Sequence, residues 1–425
     1  MLIGTVLLTL PVARAGPGGA PILTALFTST SAVCVTGLAV VDTPTYWSGF
    51  GQVVIMALVQ IGGFGIMAAA TLLGFLVSRR LRLRSQLVAQ AEIRALALGD
   101  VRSVLRRVAL TILICEAVAT VILAARFYFG YDYDVGKALW HGLFHAVSAF
   151  NDAGFALYSD SLVRFIGDWW ICLPIAAAVL LGGIGYPVLL ELRREFRRPA
   201  MWSTHTRITV WGTLILLAVG FLTMLLFEWS NPRTYGGLGI GDKILAAIFQ
   251  GTMPRTAGFQ NTDYNAMNLE TVAVTDVLMF IGGGSGGTAG GIKVTTFFLL
   301  AFVILAEVKG EKDVTIGKRR IAESVQRQAL TIALLSVAFV AAGTLALIAT
   351  TGHIRFDQAL FEAVSAFSTG GLSMNVTPTL PGPAQVVVII LMFIGRVGTI
   401  TVASALALNT KPRLYRYPEE RPIVG

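Results

Sequence analysis

Five stretches of this chain contain no Asp, Glu, Lys or Arg over lengths that make sense only inside a membrane. Thr43–Ser78 runs for 36 residues, Ala363–Gly395 for 33, Gln328–Ile354 for 27, Trp169–Leu190 for 22 and Ile208–Phe227 for 20. A helix needs about 20 apolar residues to cross the hydrocarbon of a bilayer. The sequence therefore reads as a multi-pass integral membrane protein. Charged residues make up 13% of its 425 positions, about half the share usual in soluble domains. No alternating apolar–polar strand pattern is present, which excludes an outer-membrane barrel.

Lys and Arg number 33 against 24 acidic residues, and their distribution gives topology. Eight lie between Arg79 and Arg107, five between Arg193 and Arg207, six between Lys309 and Arg327, and four between Lys411 and Arg421. The positive-inside rule puts these four patches in the cytoplasm, together with both termini. The positive balance is thereby explained without nucleic acid. Arg14, Arg126, Lys137, Arg164, Arg233, Lys243, Arg255 and Arg355 fall in the segments between patches, whereas Lys293 and Arg396 lie within apolar sequence. Cys34, Cys115 and Cys172 are isolated, so neither a disulfide framework nor a CxxC metal site is indicated. The opening MLIGTVLLTLPVARAG has a cleavage-like Ala13-Arg14-Ala15 but no positive n-region. It reads as the end of a first membrane helix that begins upstream of Met1.

Two motifs recur four times. The first is Ala25-Leu26-Phe27, Gly142-Leu143-Phe144, Ala247-Ile248-Phe249 and Ala359-Leu360-Phe361, each followed nine or ten residues later by Gly37, Gly154, Gly258 or Gly371. The second is Ile61-Gly62-Gly63-Phe64-Gly65, Leu181-Gly182-Gly183-Ile184-Gly185, Ile281-Gly282-Gly283-Gly284-Ser285 and Ile394-Gly395-Arg396-Val397-Gly398. The motif glycines are spaced by 117, 104 and 113 residues, so four copies fill the chain. Each copy reads as an apolar helix, a helix too short to span that ends at the glycine, and a second apolar helix. Backbone that leaves the helical form at membrane depth must be buried in protein or line a water-filled path. The expected fold is all-α: four tandem M1–pore helix–M2 repeats, about eight transmembrane helices plus four re-entrant pore helices, around a pseudo-fourfold central pore.

A glycine ending a short helix permits positive φ and turns successive carbonyls toward an axis. Rings of such oxygens replace the hydration shell of a monovalent cation, and the negative ends of the short helices favour cations. The other reading is that these glycines only allow close helix packing. Gly282–Gly291 holds seven glycines in ten residues of an apolar segment. At about 1 kcal/mol each relative to Ala they should break the helix, and broken helices at mid-membrane mark permeation sites. Gly282-x-Gly284-x-x-Gly287 matches a dinucleotide fingerprint without its strand–turn–helix context, and Ile292 spoils P-loop spacing before Lys293.

Val33-Cys34-Val35-Thr36-Gly37-Leu38, Asn151-Asp152-Ala153-Gly154-Phe155, Arg255-Thr256-Ala257-Gly258-Phe259 and Ser368-Thr369-Gly370-Gly371-Leu372 resemble the four filter segments of the Trk/Ktr/HKT superfamily of potassium transporters. Gly282–Lys293 is similar to the intramembrane gate loop of that family. The resemblance covers essentially the whole chain, and four bare repeats look more like the Ktr membrane subunit than the Trk one. It implies a homodimer with one pore per subunit, regulated by a cytoplasmic ring of nucleotide-binding RCK subunits. The ring would dock on a basic collar formed by the patches Arg79–Arg107, Arg193–Arg207 and Lys309–Arg327. It also implies potassium as the transported ion, sodium as a second candidate, and no organic cofactor. Gly37 resembles the potassium-preferring members, some plant relatives having Ser there. The truncated first helix, Asp152 in the second segment and Gly370 where Val is common depart from the family.

The expected filter comprises Val35, Thr36, Gly37, Asp152, Ala153, Gly154, Thr256, Ala257, Gly258, Thr369, Gly370 and Gly371. The expected gate comprises Gly282, Gly283, Gly284, Ser285, Gly286, Gly287, Thr288, Gly290, Gly291, Lys293 and Arg396. Arg396 lies 25 residues past Gly371 and 14 before Thr410, too deep to reach either interface. Glu116 reads as a buried, hydrogen-bonded carboxylate in preference to a proton relay. His141 and His145 share a helix face but lack a readable third zinc ligand. Asp152 serves either as a mouth charge, if exposed, or as a helix cap. Gly37→Ser is expected to weaken the discrimination of potassium from sodium far more than Gly62→Ser on the second helix.

The chain divides into repeat A (1–78), a cytoplasmic linker (79–103), repeat B (104–192), a linker (193–207), repeat C (208–306, with the loop 282–291), a linker (307–326), repeat D (327–408) and a C-terminal tail (409–425). No converging catalytic set is present, so an enzyme is not expected. Potassium uptake across the bacterial inner membrane is the expected function. The alternative is the potassium-translocating subunit of a P-type ATPase pump.

Overall fold

The computed structural model describes residues 1–85, 99–311, 313–317 and 319–398. The tail 409–425 and the patch Lys411–Arg421 lie outside these residues. The helices are α1 (Leu2–Thr9), α2 (Ile22–Cys34), α3 (Thr43–Tyr46), α4 (Gly49–Ser85), α5 (Gly99–Tyr131), α6 (Val135–Phe150), α7 (Trp169–Ile184), α8 (Tyr186–Glu195), α9 (Thr204–Glu228), α10 (Ile240–Thr252), α11 (Leu269–Phe280), α12 (Val294–Val308), α13 (Glu323–Thr351), α14 (Phe356–Ser368) and α15 (Gly382–Phe393). A two-stranded antiparallel hairpin, β1 (Thr315–Ile316) with β2 (Arg319–Arg320), sits in the third basic patch.

Among the described residues, four helices are long and apolar enough to cross a membrane: Gly49–Ala69 within α4, Leu105–Tyr131 within α5, α9 and α13. The pair α7 and α8 passes the same test as one span bent by 101°. The protein is thus a multi-pass helical membrane protein. The bend has a local cause. Gly185 adopts φ 96° and ψ 140°, a conformation open to glycine, and Pro187 occupies the first turn of α8, where its missing N–H costs nothing.

Helix extends into segments that the sequence assigned to linkers. α4 continues to Ser85 and α5 begins at Gly99, both inside 79–103. Arg and Leu are strong helix formers wherever the hydrocarbon ends.

The short helices α2, α6, α10 and α14 are the buried part of the structure. Phe27, Phe144, Phe249 and Phe361 are all at most 1% exposed. Three of these helices pack on the long helix that precedes them, α6 on α5, α10 on α9 and α14 on α13. Glycine permits the closest approaches: a Cβ on Gly220 would lie 2.5 Å from the Gly251 carbonyl oxygen, and one on Gly142 would lie 2.9 Å from Thr120 O.

Three short helices end alike. Val35, Asp152 and Thr369 take left-handed dihedrals (φ 56°, 58° and 53°) just past α2, α6 and α14. The next N–H reaches back five residues: Thr36 to Ser31 O at 2.8 Å, Ala153 to Ser148 O at 2.7 Å, Gly370 to Ser365 O at 2.7 Å. Orphan carbonyls at the helix end are satisfied this way. After α10 the turn differs, with Ala257 N–H bonding Met253 O, four residues back, at 3.1 Å.

Candidate functional site

Four extended segments leave these helix ends and meet. Gly37, Gly154, Gly258 and Gly371 have φ of 92°, 67°, 74° and 73°. Two residues earlier, Val35, Asp152, Thr256 and Thr369 are also left-handed, whereas Thr36, Ala153, Ala257 and Gly370 between them are not. Such alternation turns successive peptide groups to the same side. The glycines touch in cyclic order. A Cβ on Gly154 would lie 2.7 Å from Gly258 Cα, one on Gly258 would lie 3.2 Å from Gly371 Cα, and one on Gly371 would strike Thr36 O. One on Gly37 would lie 3.1 Å from Gly154 Cα and closes the ring. Thr36, Thr256 and Thr369 bury hydroxyls there that no protein group pairs. Carbonyl and hydroxyl oxygens are the donor set of a hard monovalent cation, not of zinc or copper.

The second motif packs against the helix ends. A Cβ on Gly62 would strike Val33 O, one on Gly182 would strike Phe150 O and one on Gly395 would strike Phe367 O. Each of those carbonyls lies four residues before a ring glycine. A Cβ on Gly62 has no room, so Gly65, with open space around it, is the cleaner comparison for Gly37.

Between α11 and α12 the chain forms a compact loop, with Gly286 and Gly291 at φ 82° and 64°. The loop satisfies itself partly on the bent helix. Gly284 N–H donates to Gly183 O at 2.8 Å, Thr288 N–H to Gly182 O at 3.2 Å, and Tyr186 N–H to Gly286 O at 3.4 Å. The carbonyls freed by the break in α7 are thus taken up by the loop.

Two buried arginines and the half-buried Lys293 hold the loop carbonyls. α15 loosens into a π turn over Ile394–Gly398, and Arg396, 4% exposed, donates from Nη1 to Thr288 O. Lys293, at the start of α12, donates from Nζ to Ala289 O and Gly290 O. Arg255 Nη2 donates to Gly282 O at 2.9 Å. Sequence reasoning gave Arg255 no role and grouped it with the charges between patches; it is 4% exposed. Its register, level with Cys34, Asn151 and Ser368 three residues before the ring glycines, was the available signal.

Asp152 also departs from expectation. Its side chain is fully buried and caps no helix. Oδ2 accepts from Thr288 Oγ1 at 2.7 Å. A left-handed backbone, which Asp tolerates better than most residues, leaves the carboxylate facing the loop. Thr288 is thus held twice, by its hydroxyl and by its carbonyl.

Glu116 is a buried carboxylate bonded to Asn151 Nδ2 at 2.9 Å and Gln60 Nε2 at 3.2 Å, which ties α4 and α5 to the segment before Gly154. His141 and His145 pack among Phe127, Tyr133 and Tyr158, and no metal-holding group of three His, Cys, Asp or Glu occurs among the described residues.

The chain matches the family described as TrkH, cation transport protein, over residues 17–412. It is 40% identical to Ktr system potassium uptake protein B of Bacillus subtilis (strain 168), over all of this chain and 94% of the relative. Against Ktr system potassium uptake protein B of Vibrio alginolyticus the identity is 36%, over all of this chain and 92% of the relative. Against potassium/sodium uptake protein NtpJ of Enterococcus hirae it is 33%, over all of this chain and 94% of the relative. Among solved structures, the potassium transporter TrkH from Vibrio parahaemolyticus superposes with a TM-score of 0.70 at 18% identity, covering 92% of this chain and 79% of that one. That likeness concerns the fold.

Proposed function

Since this chain belongs to the TrkH family of cation transport proteins, we propose that it is the membrane subunit of a potassium uptake system of the Ktr kind. Potassium passes through a filter made by Val35–Gly37, Asp152–Gly154, Thr256–Gly258 and Thr369–Gly371. The four segments belong to four M1–pore helix–M2 repeats around one pore. The Gly282–Gly291 loop, Lys293 and Arg396 form the gate on the helix-end side of the filter. Full-length similarity to two potassium uptake proteins supports the choice of ion. The observation that carries the mechanism is the ring itself, four positive-φ glycines so placed that a Cβ on each would meet the backbone of the next segment.

The protein works as a homodimer in the bacterial inner membrane, and a cytoplasmic RCK ring that binds nucleotides docks on its basic face. The ring's conformational change is what pulls the loop from its carbonyl clamps.

Rubidium-86 uptake into proteoliposomes tests the proposal. Uptake should be competed by potassium far better than by sodium, and it should occur without ATP. Uptake that needs ATP and a co-purifying ATPase would transfer the protein to the pump class. No uptake with or without the cytoplasmic ring would refute a conducting path. Comparing sodium-containing with sodium-free buffer also separates channel-like from sodium-coupled flux.

A further inference from the structure

Behind the glycine ring, a second set of buried polar side chains occupies one register. The residue after the motif phenylalanine is Thr28 on α2, His145 on α6, Gln250 on α10 and Glu362 on α14. All four are at most 1% exposed. Three of them hold the chain just past the ring. Leu157 N–H, three residues after Gly154, donates to His145 Nε2 at 3.3 Å. Asn261 N–H, three after Gly258, donates to Gln250 Oε1 at 3.2 Å. Glu362 Oε1 accepts from Ser373 Oγ, two after Gly371, at 3.2 Å and from Thr377 Oγ1.

The histidine fits this role in only one tautomer. His145 Nδ1 lies 2.7 Å from the His141 carbonyl oxygen. The proton must therefore sit on Nδ1, and Nε2 is left as the acceptor for Leu157. The first segment is held differently. The Thr28 hydroxyl has no partner, and Gly37 N–H itself donates to Ser31 Oγ at 3.1 Å.

We infer that His145, Gln250 and Glu362 are positioning residues for ion discrimination, each tethering the strand that leaves its filter segment to the helix behind it. The inference rests on the reading of the ring as a potassium filter. A carbonyl cage rejects a smaller ion only so far as its oxygens resist closing in around it. A strand bonded outward to a rigid buried helix cannot follow the oxygens inward. Three tethers at one register, made by three different side chains, share the outcome and not the residue type.

Gln250→Met keeps the length of the side chain and removes the acceptor. Ser373→Ala removes one of the two bonds of the third tether from the strand side, where a smaller residue fits a half-buried position, and Thr377 keeps the other. Sodium competition against rubidium-86 uptake is measured in proteoliposomes for both, beside Gly37→Ser. Each should lose about fivefold in discrimination while still transporting, the order expected of one neutral hydrogen bond. Gln250→Glu, which keeps an oxygen in place, should restore most of the loss. Thr28→Val should change discrimination little, although it shares the register. Wild-type discrimination in Gln250→Met and Ser373→Ala, with Gly37→Ser impaired, would overturn the tethers and leave the filter standing. Wild-type discrimination in Gly37→Ser as well would remove the filter reading. If Gln250→Met does not insert, Ser373→Ala combined with Thr377→Val, which removes both bonds to Glu362, decides by the same criterion.

Discussion

Arg396→Ala should raise ion flux without the cytoplasmic partner by about tenfold or more. Its guanidinium is fully enclosed, and Nη1 bonds the Thr288 carbonyl. A hydrogen bond from a charged donor contributes about 1.5–3 kcal/mol, or about 10- to 100-fold in the closed population. Removing the fixed positive charge also lowers the barrier to an entering cation. Arg396→Lys separates the two effects, since it keeps the charge and loses the planar fork. Thr288→Val, which spares the carbonyl and deletes only the hydroxyl bonded to Asp152, should raise flux less. Shortening the Gly282–Gly291 loop by four or five glycines should match Arg396→Ala. Ion preference should change less than flux in all of them, because the four ring glycines are unaltered, although Thr288 and Gly290 lie against Asp152 and Thr369. Unchanged or lower flux in both Arg396→Ala and the shortened loop, with normal expression and dimerisation, would leave the glycines as a packing device.

The second large effect is on selectivity. Gly37→Ser should cost about tenfold or more in the preference for potassium over sodium. The position has φ 92°, and its new Cβ would meet Ala153 O and Gly154 Cα. Holding a non-glycine residue there costs about 1–3 kcal/mol, and relief of that strain must move the oxygens of the neighbouring segment. Gly65→Ser, in open space on α4, should stay within about twofold, the usual range for a site without contacts. Equal losses in the two variants would mean that serine perturbs the helix bundle generally and that the ring has no special place.

What could be read from the sequence was whatever the backbone dictates locally. Four glycines after four short helices mark positions where φ must turn positive, and the glycine cluster 282–291 interrupts the helix between Phe280 and Val294. The burial of Arg396 was legible because no interface lies within reach of its side chain. What escaped were partners distant in sequence. Asp152 is polar and follows a helix, so it reads as a cap or a mouth charge; only the fold brings Thr288 to it across 136 residues. Arg255 stands within the third filter-like segment but took no role of its own, because its partner, Gly282 O, lies 27 residues further on. The bend at Gly185 was hidden in a glycine motif shared with α4, which remains one helix through Gly62, Gly63 and Gly65.

The segments that meet at Gly37, Gly154, Gly258 and Gly371 are adjacent in space but written separately in one gene. In a ring of identical subunits every substitution arrives four times. An arginine such as Arg396 would become four guanidiniums in a single path, and no cation would pass. Here a substitution arrives once, so duplication leaves each segment free to specialise. The first carries only Cys34 and Val35 where the second carries the carboxylate of Asp152 and the third the guanidinium of Arg255. The helix after the fourth segment supplies Arg396, and the one after the third has become the loop. A lock needs a bolt and a keeper of different shapes, and strict fourfold identity can supply only four of the same.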